Sequence, residues 1–487
     1  MPISNDLKDA IKHAEGVRYI KIDGAGFGND PTNPDYQSES YVDQMPDVSL
    51  CREVYGGTKT MRECAEKYLP QGVHEHDDEY KERLKRATLY PAFERTVHGL
   101  VGMILRKDPM FEEGAPDVVL EDAKNVDLAG RPLSIFARDL AIDAMIDGHA
   151  WALVEYPRIT EYNTPASLAD ERERGLRPYW CAIKKADALN WRYEMRDGRP
   201  VLTMFVYRES VVDPVGAFGE EVKERVRVLT PGAFEVWERA DREGQNQWTL
   251  IDEGATSLGY IPVAPFYTNR TGHFESKPPL LGLAYENVNH WQTRSDRQYA
   301  LKFAGSPFPV FSGADPQNVE WGMSRALFLP DSDANAQLLE SSGASLQASR
   351  EELQDIEARM ASLGLQMLVR ETRAAETAQA KLIDKAESDS ALSVISRGLE
   401  GFLNDLLEIH ATYRNIEPAR LTVNRDFNSQ QMEPSLIREI RGMVADGQLP
   451  MEDMWSLLQA GELLPPTFDV ELAQERLLGD APAPFEG

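Results

Sequence analysis

The sequence predicts an α+β protein that is mainly helical, with an antiparallel β-meander between two helical regions. Two patterns predict this class. Apolar residues at helical spacing run through residues 58–106 and return after residue 283, whereas residues 178–268 form short segments with a period of two, bounded by Gly, Pro or Asp. A chain of 487 residues is long enough for two to four domains and a sizeable core.

The first helical region follows a segment, residues 1–46, that is rich in Gly, Asn, Asp and Pro and is typical of an extended arm or loop. In the stretch YPAFERTVHGLVGMILRK the apolar residues share one helix face, and Pro91 suits the first turn. Residues 133–148 predict another amphipathic helix, which ends at Gly148. The next segment, HAWALVEYP, indicates a buried strand.

The meander consists of short alternating segments, and their sequences are WCAIKK, NWRYEM, VLTMFVYRE, RVRVLT, AFEVWER and QWTLIDE. Such segments predict neighbouring antiparallel strands. The segment IPVAPFYTN is expected to close this sheet, because its prolines suit an edge strand or a turn.

The second helical region starts with residues 283–304, a helix of about 30 Å at 1.5 Å per residue. It ends at Gly305, and the prolines of SPFPVF lead into an apolar strand. Residues 346–363 predict a returning helix with a break near Gly364, and residues 377–413 predict a longer one. The long helix carries a heptad-like stripe of Leu392, Ile395, Leu399, Phe402, Leu406, Ile409 and Tyr413.

The charge balance excludes one class of DNA-binding protein. The 80 acidic and 52 basic residues leave a formal net charge of -28, so a broad surface that neutralises phosphates is not expected. Any contact with nucleic acid must be local or loose, and solubility alone is an equally good reason for the charge.

The cellular compartment follows from the cysteines and from apolar runs. Three cysteines without a CxxC pair predict a protein made in a reducing cytoplasm. The first residues lack an apolar core of signal-peptide length, and no run of 18 apolar residues exists, so no membrane-spanning helix is expected.

Several motifs suggest enzyme or metal chemistry and do not complete it. GAGFG is followed by no helix and no GK[ST], so a Gly-rich turn is favoured over a phosphate loop. In GGTKT, Thr58 is expected to cap a helix. QGVHEHDDEY offers two histidines and two aspartates to a metal, but Asp77 and Asp78 suit a helix N-terminus better. We predict no cofactor, no metal and no catalytic residue, although scattered histidines leave a Ser-His-Asp site open.

Four phrases in a fixed order identify a resemblance. They are RTVHGLVGMILRKDPMFE, DGHAWALVEYP, IPVAPFYTNR with the following PPLLGLAYENVNHWQTRSD, and the C-terminal NRDFNSQQMEPSLIREIRGMVADGQLPMEDMWSLLQAGELL. Together with the order of helices and strands, these phrases resemble those of tailed-bacteriophage portal proteins. The resemblance covers roughly residues 90–470.

The resemblance implies the division of the portal fold into wing, stem, clip and crown. On that basis residues 1–46 are an N-terminal arm and 47–282 a wing of helices and antiparallel strands. The stem helices are 283–304 and 341–363, joined by a clip at 305–340. A tunnel loop at 364–377, a long wing and crown helix at 378–427, and a crown with C-terminal tail at 428–487 complete the expected domains.

The resemblance also implies a function. Portal proteins form a ring, here expected to hold twelve copies, at one capsid vertex of the virion, where double-stranded DNA passes during packaging and ejection. The expected partners are terminase, a head-tail adaptor, and the major capsid or scaffold protein, with no membrane. The portal is not an enzyme, because the terminase hydrolyses ATP.

Candidate contact residues follow from these positions. Sparse cations near DNA are expected among Arg294, Arg297, Lys302, Arg370 and Arg373, and the alternative is that they pair with acids of a neighbouring subunit. The clip surface for terminase and adaptor is expected to include Pro307, Phe308, Pro309, Phe311 and Trp321.

The heptad-like stripe helps to distinguish a ring subunit from an ordinary helical domain. It is too long for one small domain, so a neighbouring copy is expected to cover part of it, whereas the alternative is a core helix. Two other functions stay open. One is an unrelated soluble enzyme, such as a hydrolase with a helical bundle and β-meander; the other is a different connector ring or minor capsid protein, although adaptor chains are usually much shorter.

Overall fold

The computed structural model describes residues 30–157, 174–242, 245–304, 308–312, 335–339, 343–365, 391–425 and 434–460, with a few isolated positions besides. Two compact units divide the chain, Met1–Arg425 and Asp426–Gly487. The first unit contains both helices and antiparallel sheets, so the α+β class predicted from the sequence is confirmed.

Helices dominate the first hundred described residues. They are α1 (Glu39–Tyr55), α2 (Gly57–Cys64), α3 (Asp77–Arg86), α4 (Ala92–Ile104), α5 (Asp117–Asp122) and α6 (Leu133–Asp147). Residues 39–46 were predicted as part of an extended segment, and this is wrong, because α1 begins at Glu39. The Ser38 hydroxyl accepts a hydrogen bond from the backbone N–H of Tyr41, which caps the helix.

The starts of α2 and α3 differ in detail from the sequence prediction. Thr58 does not cap α2, since Gly56 holds that position and the Thr58 hydroxyl accepts from the backbone N–H of Leu89 instead. His76 precedes α3, and Asp77 and Asp78 lie in its first turn. Their charges face the positive end of the helix dipole as predicted, although neither is the cap residue.

A three-stranded antiparallel sheet lies at the centre of the first unit. Strand β2 (His149–Glu155) runs between β3 (Tyr179–Lys184) and β9 (Val263–Tyr267). The sequence placed the segments WCAIKK and IPVAPFYTN in the meander, and this is wrong, because both pair with β2. Strand β2 is buried on both faces and needs a partner along each edge, which these two segments provide.

The meander itself is a five-stranded antiparallel sheet whose strands follow chain order. Its strands are β4 (Ala188–Arg196), β5 (Arg199–Val215), β6 (Gly219–Thr230), β7 (Ala233–Arg242) and β8 (Gln245–Ala255). Trp151 of β2 packs between the two sheets, with its ring 4.8 Å from that of Phe205 and 5.4 Å from that of Phe274. An ion pair also joins them, with Nη2 of Arg227 2.8 Å from Oε1 of Glu155.

The remaining elements are shorter or follow residue 280. Strand β1 (Met110–Phe111) pairs with β14 (Leu421–Thr422), and β10 (Arg270–Gly272) pairs with β11 (Glu275–Ser276). After them come helix α7 (Leu281–Ala304), strands β12 (Phe308–Ser312) and β13 (Asn335–Leu339), and helices α8 (Gly343–Leu365) and α9 (Ala391–Arg414). The second unit contains α10 (Pro434–Ala445) and α11 (Met451–Ala460), where the sequence predicted small helices.

Helix α9 carries the heptad-like stripe, and the same chain covers most of it. The Phe402 ring lies 5.7 Å from that of Phe266 on β9, and the His410 ring lies 6.4 Å from that of Trp180 on β3. The first five residues of the stripe, Leu392 to Leu406, are buried within the chain, as in an ordinary core helix. Ile409 and Tyr413 are only partly buried, so the expected contact with a neighbouring copy stays a prediction for that end of the stripe. The predicted start of this helix at residues 377–390 lies outside the described residues.

The turn after α6 allows no side chain at Gly148. Its backbone has φ 93°, and an added Cβ would lie 2.6 Å from Oγ of Ser276 and 2.7 Å from the carbonyl of Lys277. We expect Gly148→Ala to lower the free energy of unfolding by about 2–4 kcal/mol, because steric overlap adds to left-handed strain. Urea unfolding of the purified chain measures the change.

Gly130 provides the matched control. It also has a left-handed backbone, with φ 96°, but open space surrounds the position of its Cβ. Gly130→Ala should cost only the left-handed strain, about 1 kcal/mol. Equal losses for the two variants would show that close packing at Gly148 contributes nothing.

Candidate functional site: the paired helices after residue 280

Helices α7 and α8 form an antiparallel pair. Nε2 of His290 lies 3.3 Å from Oε1 of Glu357, and Nε of Arg359 lies 3.3 Å from Oε2 of Glu286. As residue numbers rise along α7 they fall along α8, which fixes the antiparallel direction. The helices predicted at 283–304 and 346–363 are thus present; α7 starts two residues earlier, and α8 starts three residues earlier and ends two residues later.

Helix α7 is anchored to the helical layer before it through Asn287. The Asn287 Oδ1 accepts from the backbone N–H of Phe93 at 3.1 Å, and its Nδ2 donates to the Tyr90 carbonyl at 2.9 Å. Both groups belong to the start of α4, where backbone N–H groups lack partners within the helix. Trp291, one turn further on, is fully buried. The side chain of Asn287 therefore fixes α7 to the start of α4.

Helix α3 contacts α7 on a different side from α8. Nη1 of Arg83 lies 3.6 Å from Oδ1 of Asp296, and Nε of Arg83 lies 2.7 Å from Oε1 of Glu75. At 100° per residue, Asp296 lies about 80° and about 120° around the helix from Glu286 and His290, which face α8. Helix α7 is thus held on two sides.

Helix α8 is covered far less. Leu353, Ile356 and Met360 are buried at spacings of three and four, which forms one stripe against its neighbours. The opposite face is exposed and carries Glu351 and Asp355. A rod of 23 residues with one buried stripe presents a long acidic surface to whatever surrounds it.

The segment between the two helices contains an antiparallel strand pair. Strand β12 pairs with β13 from Phe308 opposite Leu339 to Ser312 opposite Asn335. The strand predicted in SPFPVF is therefore present, and Pro309 is accommodated in a two-stranded ladder, where an edge is always free. Of the predicted clip contacts, Phe308, Pro309 and Phe311 lie on β12, whereas Pro307 and Trp321 lie outside the described residues.

The structure brings two of the predicted DNA-contact cations together. Arg294 and Arg297 are half-buried on the same stripe of α7 as His290, facing α8. Nε of Arg297 is buried and has no hydrogen-bond partner within the part of the chain that the structure describes. Lys302 lies in the last turn of α7, and Arg370 and Arg373 lie outside the described residues.

His290 is uncharged at neutral pH in these surroundings. Burial lowers the pKa of its imidazole, the adjacent carboxylate of Glu357 raises the pKa, and the positive charge of Arg294 lowers it again. The contact between the two helices at this point is therefore a hydrogen bond between a neutral imidazole and a carboxylate, not an ion pair. If the contact between His290 and Glu357 were treated as an ion pair, its dependence on salt concentration would be overestimated.

A cluster of Lys185, Ser276 and His149 resembles the catalytic residues of a hydrolase, and the sequence analysis did not identify it. The Lys185 Nζ lies 3.0 Å from Oγ of Ser276, and Nδ1 of His149 lies 2.7 Å from the same hydroxyl. Burial lowers the pKa of Lys185 to about 8. A serine beside a lysine of lowered pKa is one arrangement that activates a nucleophile.

Burial excludes this group as an open active site in this structure. Ser276, Lys185 and His149 are each at most 3% exposed. The Lys185 ammonium also donates to the Ser276 carbonyl at 2.8 Å and to the Asp147 carbonyl at 3.1 Å, so it joins the end of α6 to β11. Because no substrate carbonyl can reach the hydroxyl, we interpret the cluster as a buried structural junction.

Across the ranges that the structure describes, no three His, Cys, Asp or Glu side chains are grouped so that they could hold a metal ion. None of the helices in those ranges is both long and apolar enough to cross a membrane.

Comparison with known proteins gives one family match. A family described as a domain of unknown function (DUF4055) matches residues 279–414, which begin just before α7 and end with α9. No curated protein matches the chain. The family match thus falls on the paired helices and the core helix that follows them.

Three solved structures are similar to the chain. A protein in the neck of an empty gene transfer agent (GTA) particle, computed with C6 symmetry, has 13% identity and a TM-score of 0.38, with 78% of this chain and 91% of that chain covered. One in the neck of the native GTA particle, computed with C12 symmetry, has 14% identity and a TM-score of 0.37, with the same coverage. One in the virion of the native particle has 14% identity and a TM-score of 0.37, with 84% and 99% covered.

The anchoring role of Asn287 can be measured directly. Asn287→Leu should lower the free energy of unfolding by about 1–3 kcal/mol, because it leaves the buried N–H of Phe93 without a partner. It also removes one of the two hydrogen bonds to the Tyr90 carbonyl, which still accepts from the Ala92 N–H. Asn289→Leu, at an exposed position of the same helix, should change it by less than about 0.5 kcal/mol. Urea unfolding of both variants decides the matter, and equal effects would contradict the anchoring role.

Proposed function

We propose that this chain is the subunit of a portal-type ring in a phage or phage-like particle. The ring provides the channel for double-stranded DNA at one vertex of the capsid, and twelve copies are the expected number. Its role is structural and not enzymatic. The terminase, and later a head-tail adaptor, dock on the outer end, and the major capsid or scaffold protein contacts the rest.

The observation that carries this proposal is the antiparallel pair α7 and α8 joined through the β12 and β13 strands. One member of the pair, α8, exposes most of its surface although the chain has a large core elsewhere. A single copy leaves that surface to solvent, whereas copies placed side by side in a ring cover its flanks. The arrangement matches the stem and clip that the sequence resemblance implies.

The charge of the exposed rod suits a channel through which DNA moves. A duplex carries one negative charge per about 1.7 Å of axis, so a basic wall would hold it by releasing counterions. The open face of α8 carries Glu351 and Asp355, and the whole chain has a net charge of -28. Such a wall repels the duplex weakly and lets it slide.

In this proposal a few basic side chains contact the DNA. We assign this role to Arg294 and Arg297, with Lys302 near the end of the rod and Arg370 and Arg373 in the expected tunnel loop. Their half-buried position beside α8 also suits pairing with a neighbouring subunit. On β12, Phe308, Pro309 and Phe311, with Pro307 and Trp321 in the same clip, are the proposed surface for terminase and adaptor.

Assembly is the first test of the proposal. Purified chain examined by mass photometry and negative-stain electron microscopy should contain rings with a central hole, at about twelve times the 54.7 kDa subunit mass. A population made only of monomers and dimers, under conditions that keep the chain folded, would contradict the proposed function.

Charge reversal separates DNA contact from subunit contact. We expect Arg294→Glu with Arg297→Glu to leave rings intact but to reduce the fraction of DNA-filled particles at least tenfold, because both charges then repel the duplex. Lys124→Glu with Arg138→Glu, at exposed positions outside α7 and α8, serves as the control and should change neither readout. Loss of rings in the double variant would instead assign the two arginines to the subunit interface.

A further inference from the structure

We propose that neighbouring copies of this chain join head to tail through the two ends of the five-stranded sheet. The β4–β5 hairpin of one copy, with its arginine-rich tip, contacts the acidic and apolar tip of the β5–β6 hairpin of the next copy. This inference rests on the proposed ring and names the contact that closes it. It concerns a part of the molecule distant in sequence from the paired helices.

The two tips lie at opposite ends of one long strand. Strand β5 has 17 residues, which at about 3.3 Å per residue spans roughly 55 Å. Its first residue, Arg199, closes the hairpin with β4, and its last, Val215, closes the hairpin with β6. A rigid element of this length with different chemistry at each end suits a contact that repeats around a ring.

Both hairpins project past the strands beside them. The β4–β5 pairing extends from Ala188 to Arg199, but β6 pairs with β5 only from Phe205 onward. At the other end, β5 and β6 pair as far as Val215, whereas the pairing of β6 with β7 stops at Arg225. Each tip is therefore a two-stranded ribbon, free of a third strand among the described residues.

The first tip, residues 192–199, is locally positive and is called the basic tip. Three arginines against Glu194 and Asp197 leave a net charge of +1 in a chain of -28. Arg196 lies directly opposite Arg199 in the ladder, and like charges in that position destabilise a hairpin. Asp197 and Gly198 both have positive φ, as a tight two-residue hairpin turn requires.

The arginines of the basic tip are available for an external anion. Arg196 has an exposed contact at 3.2 Å with Glu194, and exposed pairs of this kind contribute little. Arg192 and Arg199 form no ion pair with another residue in the described ranges. Tyr193 and Met195, 40% and 55% exposed, add apolar area beside these charges. Arg, Tyr and Met are the residues that protein interfaces favour.

The second tip, residues 214–222, has the complementary chemistry and is called the acidic tip. Glu220 and Glu221 are its charged residues, both exposed, and no base lies within these nine positions. Phe218 at the turn is fully exposed, and Val215 and Val222 are 51% and 47% exposed. An aromatic side chain standing free at the end of a ribbon is a candidate anchor for a neighbouring surface.

The complementarity favours a second copy of this chain as the occupant of both tips. Both tips offer apolar side chains; the basic tip has a net positive charge, and the charged residues of the acidic tip are all negative. A contact between two different patches of the same chain is heterologous, and it produces a closed ring when the rotation closes. DNA is the competing occupant of the basic tip, but it offers no apolar surface for the acidic tip.

Charge reversal at each end tests this contact. Arg192→Glu with Arg196→Glu and Arg199→Glu reverses the basic tip, and Glu220→Lys with Glu221→Lys reverses the acidic tip. Each set alone should lower the ring fraction at least tenfold in mass photometry at low salt. Both sets combined in one chain should restore rings, because the interface is complementary again with its polarity exchanged.

The controls separate this inference from the proposed function. Lys124→Glu, Arg138→Glu and Arg420→Glu reverse three charges outside the five-stranded sheet and should leave rings intact. Circular dichroism confirms that each variant is folded, and Phe218→Ser provides a milder change that should also weaken rings. Rings from both single-tip variants at the unaltered level would overturn the inference while the proposed function stands. Absence of rings from the unaltered chain would overturn both.

Binding of a 30-base-pair DNA duplex provides the last distinction. If the basic tip is for DNA, its reversal should leave rings unchanged and reduce the slope of log affinity against log salt by about 0.9 for each lost phosphate contact. That outcome would overturn the subunit contact. We expect the slope to stay unchanged, because the arginines of the basic tip face protein in the assembled ring.

Discussion

The rest of the structure depends on how little of helix α8 a single chain can cover. Only the stripe containing Leu353, Ile356 and Met360 is buried, and α7 together with α4 supplies the partners. The helix cannot turn its acidic face inward, because burying unpaired carboxylates costs several kcal/mol for each group. A rod of this kind is stable only where solvent or a neighbouring subunit meets that face. The hydrogen bonds of Asn287 to the start of α4 then fix the position of α7, against which α8 packs.

The core before residue 280 makes that presentation rigid. Strand β2 is paired on both edges, Trp151 fills the space between the sheets, and α9 covers the three-stranded sheet from the other side. Because α9 buries most of its stripe within the chain, the core before residue 280 is largely complete in one copy. The proposed ring would then assemble from folded monomers, through polar contacts and the projecting tips, as in interfaces between stable proteins.

Local patterns allowed much of this to be predicted from the sequence. Helical spacing predicted α4, α6, α7, α8 and α9, and alternation predicted the strands, because each period can be recognised from residues close together in the sequence. Strand pairing between segments distant in the sequence was harder to predict. WCAIKK alternates like a meander strand, yet it joins β2, whose continuous apolar run indicates burial on both faces and so two partner strands. The cluster of His149, Lys185 and Ser276 had no sequence signal, since its members lie up to 127 positions apart.

Charge poses the final problem for a ring of such subunits. Copies that each carry -28 repel one another, and the acidity that lets a duplex slide through a channel also opposes its assembly. Screening at physiological salt reduces repulsion beyond about 8 Å, so closure requires attraction only at short range. A local basic tip that meets an acidic tip supplies such attraction without making the wall of the channel basic. If the sheet ends hold the ring together, Arg294 and Arg297 need not, and the stem keeps its few cations for DNA.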